Sequence, residues 1–109
     1  MTRQEASERY HIPLSILREY ESWGLCGPDG YGDADLERLS TVLTLRDVGF
    51  TAEEIRAYMQ LLGEPDSAQA RLRMVEEQRG AMLEEIHAHE RRLAQLDYLR
   101  HAIRKEQKE

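Results

Sequence analysis

The stretch SILREYESWGLCGPDGYG, residues 15–32, places Arg18 and Tyr20 on a short predicted helix that runs into a glycine-rich turn. Arginine presents a planar fork of donors that can bind a phosphate through two hydrogen bonds, which lysine cannot do. An arginine and a tyrosine on a short helix beside such a turn raise the question of whether this stretch contacts DNA. The alternative is that Arg18 holds the fold together by pairing with Glu21 or with a backbone carbonyl.

The charge around this stretch argues against nucleic acid. Between Arg18 and Arg38 there is no lysine or arginine, whereas six acidic residues fall there: Glu19, Glu21, Asp29, Asp33, Asp35 and Glu37. The formal net charge is −6, and neither half of the chain is basic, since residues 1–50 carry −4 and residues 51–109 carry −2. Binding to phosphates requires local positive charge, so any contact with DNA must rest on few cations.

The other residues that could do chemistry favour neither an enzyme nor a metal site. The serines, histidines and acids show no arrangement typical of a catalytic triad, and there is no glycine-rich phosphate-binding loop. His87 and His89 lie two positions apart, so on a helix they face different sides and cannot bind one ion together. Asp97 and His101 are one turn apart, a spacing more typical of polar surface neighbours. We predict no enzyme activity, no metal and no cofactor.

Length and composition predict a small helical protein. The chain has 109 residues, of which 33% are charged and 6% aromatic, and this is typical of a soluble protein with a long exposed helix. No apolar run approaches the roughly 20 residues that span a bilayer, and no charged-then-apolar leader opens the chain. We expect a cytoplasmic protein with no membrane partner. Cys26 is the only cysteine, which excludes an intramolecular disulfide and leaves a redox-sensitive thiol or a small packed residue as its alternatives.

Two short helices separated by a break are predicted at the start of the chain. Thr2 is suited to cap a helix that ends at Tyr10, and we expect Tyr10 to face inward with Ala6. Pro13 disfavours helix at the residue before it and fits the first turn of a second helix, which is expected to run to about Ser22 and to be terminated by Gly24. The apolar residues available to pack between the two helices are Leu14, Leu17 and Trp23. The pattern indicates a helix-turn-helix unit.

The next segment predicts a very short wing and two further helices. The Pro-Asp-Gly of residues 28–30 is a strong turn signal, with flanks too short for more than a vestigial hairpin. Asp33 is suited to cap a third helix, which stops at Gly49. Thr51 and Glu54 form the pattern of a capping box that opens a fourth helix. The expected apolar stripes comprise Leu36, Leu39, Val42, Leu43 and Val48 in the third helix, and Ile55, Tyr58, Met59 and Leu62 in the fourth.

The last part of the chain predicts one unusually long helix. Asp66 or Ser67 can cap it, and it contains no further proline and a single glycine, Gly80. At roughly 1.5 Å per residue, about 40 residues make a helix of about 60 Å, longer than a small head can bury. Its apolar seam, written in sevens, comprises Leu72, Val75, Met82, Ile86, Leu93, Leu96 and Ile103, and is interrupted by Arg79, His89 and Arg100. We expect residues 1–63 to form a head and residues 64–109 to form a coiled-coil dimerisation helix. The alternative is that this long helix folds back over its own head.

The order of these parts, and motifs in three separate regions, resemble the MerR family of bacterial transcription regulators. The motifs of the first two helices are EAS at residues 5–7, ILREYE at residues 16–21 and GL at residues 24–25. The downstream motifs are DLERL at residues 35–39, LRDVGF at residues 45–50 and EEI at residues 53–55. The resemblance covers essentially the whole chain.

The resemblance implies an all-α fold with at most a vestigial β wing, in which a winged helix-turn-helix head is followed by a terminal helix that joins two copies as an antiparallel coiled coil. It implies that each head places its second helix in a major groove of double-stranded DNA. The homodimer would distort promoter DNA and so act on RNA polymerase indirectly. By their positions in the motif, Arg18 and Tyr20 are expected to contact phosphates. Arg9 matches a basic position near the turn, Ser15 matches a position that faces the bases, and Tyr31 of the wing is a further candidate for a phosphate contact.

Several residues depart from the family's pattern and leave an alternative function open. The pair Gly30-Tyr31 is followed by Gly32-Asp33, where the family's wing normally carries an arginine. Glu19 replaces the first aromatic of the usual pair, Glu8 sits where a lysine is common, and His11 sits where the turn glycine is common. These departures concern affinity rather than fold. The alternative is a MerR-fold protein-interaction module with weakened or lost DNA binding; an excisionase-like architectural DNA binder shares the head but does not need the long helix.

Overall fold

The computed structural model describes residues 1–108. Its helices are α1 Arg3–Tyr10, α2 Leu14–Ser22, α3 Asp33–Asp47, α4 Ala52–Leu62 and α5 Ala68–Lys108. Within the described residues there is no strand, and Gly27 and Gly30 form an isolated antiparallel bridge. This confirms the all-α fold with a vestigial wing. Residues Met1–Arg71 form one compact unit, and α5 from Leu72 onward forms a second.

α1 and α2 are joined by a turn with left-handed backbone. Thr2 caps α1 as predicted, because its hydroxyl accepts a hydrogen bond from the Glu5 N–H at 3.2 Å. The chain then turns at His11, whose φ of 55° lies in the left-handed region that favours glycine. Ser7 closes the turn by donating its hydroxyl hydrogen to the carbonyl of Ile12 at 2.8 Å. A histidine therefore occupies a position whose backbone geometry suits glycine better.

α2 turns an apolar face toward the rest of the head. Pro13, which was expected in the first turn of this helix, occupies the cap position directly before it, and the chain leaves the helix at Gly24, whose φ is 76°. Leu17 and Tyr20 on its inner face are fully buried. Trp23 follows the last turn, and its ring meets the Tyr20 ring edge-on with centroids 6.4 Å apart. The inner face of α2 is thus anchored by aromatic and aliphatic packing.

The wing is a tight turn held against the start of the chain. Gly30 has a φ of 83°, and a Cβ atom there would overlap the carbonyl oxygen of Met1, so only glycine fits. Tyr31 pairs with Met1 in both directions: the Tyr31 N–H donates to the Met1 carbonyl at 2.7 Å, and the Met1 ammonium donates to the Tyr31 carbonyl at 3.2 Å. These two hydrogen bonds fix the wing to the start of the chain, although the wing does not form a hairpin.

The start of α3 differs from the prediction. Asp33, which was expected to cap this helix, is its first residue, and Gly32 occupies the cap position in an extended conformation. The capping acid is Asp35, whose Oδ2 accepts a hydrogen bond from the Gly32 N–H at 3.0 Å. The prediction for Asp33 is wrong because this residue already has helical backbone and lies past the turn.

Thr51 and Glu54 form the predicted capping box at the start of α4. The Thr51 hydroxyl accepts a hydrogen bond from the Glu54 N–H at 3.2 Å, and the Glu54 carboxylate accepts one from the Thr51 N–H at 2.9 Å. The hydrogen bonds with Thr51 hold the pKa of Glu54 below its ordinary value. Gly63 follows the helix, as predicted.

The head buries an apolar core to which its helices, turns and wing all contribute. The expected inward position of Tyr10 and the full apolar stripes of α3 and α4 are wrong in part, since Tyr10, Val48 and Leu62 are exposed. Val48 lies just beyond the last turn of α3, where the helical period no longer applies. The buried apolar residues are Ala6, Ile12, Ile16, Leu17, Tyr20, Tyr31, Leu39, Val42, Leu45, Phe50, Ile55 and Met59.

α5 is a continuous helix of 41 residues, about 60 Å long at roughly 1.5 Å per residue. Ser67, one of the two predicted caps, directly precedes it, and Gly80 lies within it without interrupting it. None of the residues of Ala68–Lys108 is buried, and the seven apolar residues of the predicted seam are 43% to 62% exposed. Nowhere in residues 1–108 does a helix combine the length and the hydropathy needed to cross a membrane.

Candidate nucleic-acid interface

The outward face of α2 carries residues that the sequence analysis assigned to DNA. Ser15, Arg18 and Glu19 are exposed, whereas Leu17 and Tyr20 are buried on the other side of the helix. The period of 3.6 residues per turn separates the two faces. Because Ser15 and Arg18 are one turn apart, a single surface of α2 presents both a hydroxyl and a cation.

Arg18 forms no ion pair and no side-chain hydrogen bond with any residue that the structure describes. Its alternative partner, Glu21, is bound by Arg3 instead, with Arg3 Nε 2.6 Å from Glu21 Oε2. The hydrogen bond from Arg3 is the largest cause of the lowered pKa of Glu21, and the charge of Arg18 contributes less. The Arg18 guanidinium is therefore available to an external anion.

Arg9 is exposed at the end of α1, next to the turn that leads to α2. Its guanidinium carbon lies 5.7 Å from the centroid of the Tyr10 ring, within the range of a cation–π interaction. At an exposed site such a contact contributes only about 0.5–1 kcal/mol. The interaction that holds Arg9 near the turn is therefore weak, and its guanidinium is available to bind an anion there.

Tyr20 lies inside the head rather than on its surface. It is fully buried, and its hydroxyl donates a short hydrogen bond of 2.6 Å to Asp35 Oδ1. Burial and then the hydrogen bond to this carboxylate raise the pKa of Tyr20 to about 12. We therefore correct the expectation that Tyr20 contacts a phosphate, because its hydroxyl is enclosed and bound within the protein.

Tyr31 of the wing is also directed inward. It is 3% exposed, and its hydroxyl donates to the carbonyl of Leu17 at 3.1 Å. Burial, followed by the effect of the nearby Glu21 carboxylate, raises the pKa of Tyr31. The expectation that Tyr31 reaches a phosphate is corrected for the same reason, since its hydroxyl is engaged with α2 under the surface.

The surface around α2 is acidic. Residues 1–63 carry six arginines against eleven acids, a net charge of −5. Asp29 in the wing and Asp33 at the start of α3 are both exposed, and Glu19 shares the outward face of α2. Each of these carboxylates weakens the attraction of the head for phosphate, so the positions of the few exposed arginines decide what it can bind.

No group of three or more His, Cys, Asp or Glu side chains among residues 1–108 is placed to hold a metal ion. Cys26 is half-buried beside the wing. Burial, followed by the charges of Asp35 and Glu21, raises the pKa of its thiol. A thiol with a raised pKa is a poor nucleophile at neutral pH, which favours a packing role for Cys26.

Comparison with known proteins identifies the family. The family model described as "MerR HTH family regulatory protein" matches residues 1–62, which is more than half of the chain. The chain belongs to the MerR family. A second model, described as "MerR, DNA binding", matches residues 36–104, from α3 into α5. Membership of a family of regulators is consistent with the expectation that the chain is not an enzyme.

Two individual proteins are similar to this MerR-family chain. The HTH-type transcriptional regulator HmrR of Rhizobium leguminosarum bv. viciae is 37% identical over 76 residues, which cover 63% of this chain and 59% of that protein. The chain thus spans about three fifths of the length of this relative. A crystal structure of a MerR-family transcriptional regulator from Bacillus thuringiensis matches with a TM-score of 0.60 and 23% identity, over 89% of this chain and 93% of that one. At that identity the likeness supports the fold alone.

Sequence reasoning missed two residues that shape the site of this MerR-family head. Arg3 neutralises Glu21 across 18 positions of the chain, a contact that no local pattern indicates. Asp35 binds both Tyr20 and the backbone of Gly32. Here a signal was present, because an acid three residues after Gly32 has the spacing of a capping box.

Arg46 of α3 is a further exposed arginine that the sequence analysis did not assign to the site. It lines a groove of about 570 Å³ together with Pro13 and Ile16 at the start of α2. It also lines a groove of about 260 Å³ with Glu19. Tertiary packing therefore brings a cation from another helix beside α2.

Proposed function

We propose that this chain is a DNA-binding transcription regulator of the MerR type, acting in the cytoplasm of a bacterium. The observation that carries the proposal is the exposed guanidinium of Arg18, unpaired among residues 1–108, on the outward face of α2. This helix lies in the segment that matches the family's helix-turn-helix model. Similarity to HmrR, whose name describes a transcriptional regulator, supports the same activity.

In the proposed complex, α2 lies in the major groove with its outward face toward the DNA. Arg18 binds one phosphate, Arg9 binds another near the turn, and Ser15 faces the base edges. Tyr20 and Tyr31, whose hydroxyls are bound inside the head, make no direct contact. Because few cations act against several acids, the affinity is low and its dependence on salt is shallow.

We further propose that two copies join through α5 as an antiparallel coiled coil, with residues 1–63 as the DNA-binding head and residues 64–109 as the dimerisation helix. The support is the exposed apolar seam on a helix that has no buried residue between Ala68 and Lys108. A second copy of the helix removes this seam from water, which contributes about 25 cal/mol for each Å² of apolar surface buried. On promoter DNA such a dimer acts on RNA polymerase indirectly, through the shape of the DNA.

Replacing Leu93 and Leu96 together with arginine tests the dimer. Unpaired charges at a buried seam cost on the order of several kcal/mol, so we expect the double variant to be a monomer. Sedimentation velocity measures the mass of the parent protein and of the variant. Tyr98→Arg, on the opposite side of the same helix, is the matched control and is expected to leave the dimer intact. A double variant that keeps the mass of the dimer refutes α5 as the interface.

Selection of bound fragments from the parent genome with purified protein tests DNA binding itself. We expect a small set of promoter fragments with a shared sequence to be enriched over bulk DNA. If the parent protein enriches no fragment even at low salt, the proposed regulator is wrong. The protein-interaction module then becomes the better account of the acidic head.

A further inference from the structure

Two buried hydrogen bonds tie the inner face of α2 to residues 31–35, which we call the clamp segment. The Tyr31 hydroxyl donates to the carbonyl of Leu17 at 3.1 Å, and the Tyr20 hydroxyl donates to Asp35 Oδ1 at 2.6 Å. The two tyrosine rings lie 6.1 Å apart and both are buried. The clamp segment therefore holds α2 at two points one turn apart, on the side opposite Arg18.

Asp35 joins three parts of the head through one carboxylate. It is 8% exposed, and its Oδ1 accepts from Tyr20 while its Oδ2 accepts from the Gly32 N–H at 3.0 Å. Arg38 Nη1 lies 3.5 Å from Oδ1 and offsets the negative charge. A buried carboxylate is tolerated only with such partners, and together they restrict Asp35 to one position. The start of α3 is thereby coupled directly to α2.

Tyr31 is fixed from the other side by the start of the chain. Its backbone exchanges two hydrogen bonds with Met1, at 2.7 Å and 3.2 Å. The carboxylate of Glu21, which pairs with Arg3 of α1, raises the pKa of the Tyr31 hydroxyl. These contacts give the tyrosine of the wing an internal supporting role.

We propose that the clamp segment positions α2 for sequence-specific contact with DNA, with Asp35 and Tyr31 as positioning residues that do not touch the DNA themselves. The proposal rests on the proposed DNA-binding function. Its physical basis is that the outward Ser15 and Arg18 belong to the same rigid helix as the two residues that the clamp holds. Reading base edges requires an accurate helix orientation, whereas a single cation can follow a phosphate through larger displacements. Loosening the clamp is therefore expected to reduce specificity more than non-specific affinity.

Tyr31→Phe and Tyr20→Phe test the clamp, because each removes one hydroxyl and keeps the ring. Tyr98→Phe, on exposed α5, is the matched control. Each protein is measured, at a temperature where urea unfolding shows it to be fully folded, against a fragment selected by the parent and against random-sequence DNA of equal length. We expect each clamp variant to lose about three- to tenfold in affinity for the selected fragment and to keep its affinity for random DNA. Hydrogen exchange is expected to be faster in α2 and unchanged in α4.

Folded clamp variants that bind the selected fragment as tightly as the parent overturn the proposal, because the hydroxyls then serve stability alone. An equal loss on both DNAs overturns it as well, since that result indicates a lost phosphate contact. The proposal is also overturned if hydrogen exchange in α2 is as slow in the clamp variants as in the parent. If Tyr20→Phe does not fold, Tyr31→Phe decides the question. If the parent protein selects no fragment, both the proposed function and the positioning role are refuted. If the parent selects a fragment and the variants bind it equally tightly, only the positioning role is refuted.

Discussion

Replacing Arg18 with alanine probes the surface that α2 presents. Arg18 is exposed and forms no ion pair or side-chain hydrogen bond among residues 1–108, so its guanidinium is available to DNA. Arg3, by contrast, forms an ion pair with Glu21, in which Arg3 Nε lies 2.6 Å from Glu21 Oε2. We therefore expect Arg18→Ala and Arg3→Ala to change the salt dependence of DNA binding by different amounts, although both substitutions lower the net charge by one unit.

The expected size of the Arg18 effect follows from counterion release. Each phosphate that is neutralised on duplex DNA contributes about 0.9 to the slope of log affinity against log salt concentration. A homodimer presents two copies of Arg18, so Arg18→Ala is expected to lower the slope by about 1.8. Between about 50 and 200 mM salt, this difference changes the ratio of parent to variant affinity by about 12-fold. The defect is large at low salt and shrinks as salt rises.

Fluorescence anisotropy of a labelled DNA fragment, titrated at several salt concentrations, measures the slope for each protein. We expect the same loss on selected and on random DNA, because a phosphate contact carries no sequence information. Arg56→Ala is the matched control, since it removes an exposed arginine from a different helix, α4. Circular dichroism and urea unfolding establish that the compared proteins are equally folded.

An unchanged slope in folded Arg18→Ala refutes the phosphate contact. A slope that falls equally in Arg18→Ala and Arg56→Ala also refutes it, because net charge rather than the position of Arg18 then governs binding. Arg3→Ala is expected to change the slope less than Arg18→Ala does, since Glu21 already neutralises Arg3 in the folded protein.

Asp29→Lys is expected to tighten DNA binding markedly at low salt and much less at high salt, where screening removes the effect, because Asp29 is an exposed acid of the wing. Glu64→Lys, at an exposed acid after α4, is the control, and no gain at any salt concentration shows that the wing does not face DNA. The free energy of unfolding is expected to fall as the pH rises from about 10 toward about 12, because the raised pKa values of Tyr20 and Tyr31 make the folded state keep protons that the unfolded chain releases. Urea unfolding at several pH values measures this loss; Tyr20→Phe is expected to reduce it, and a flat profile to pH 12 contradicts it.

The helix boundaries of the head were largely predictable because their signals are local. Thr2, Pro13 and the pair Thr51 and Glu54 act on backbone groups within a few residues, and α1, α2 and α4 begin beside them. The length of α5 and its exposed apolar seam likewise follow from a repeat that is visible in the sequence. Periodicity alone also puts Ser15 on one face of α2 and Leu17 on another.

Prediction failed where two local signals compete. Asp33 and Asp35 are both acids near the start of α3, and which of them acts as the cap depends on where the chain leaves the turn at Gly32. The left-handed backbone of His11 is a similar case, because the residue type does not reveal it and the path from α1 to α2 requires it.

Most of the helix boundaries, the family motifs and the face of α2 that carries Arg18 follow from neighbours in the chain and can be read from the amino-acid sequence. Which polar side chains face solvent, and which support α2 from within, depends on the packing of the head. A tyrosine suits either place, because it combines an apolar ring with a hydroxyl that needs a hydrogen-bond partner. Tyr20 and Tyr31 find those partners 15 and 14 positions away, at Asp35 and Leu17. Contacts over such distances depend on how the helices pack, and no local pattern encodes them.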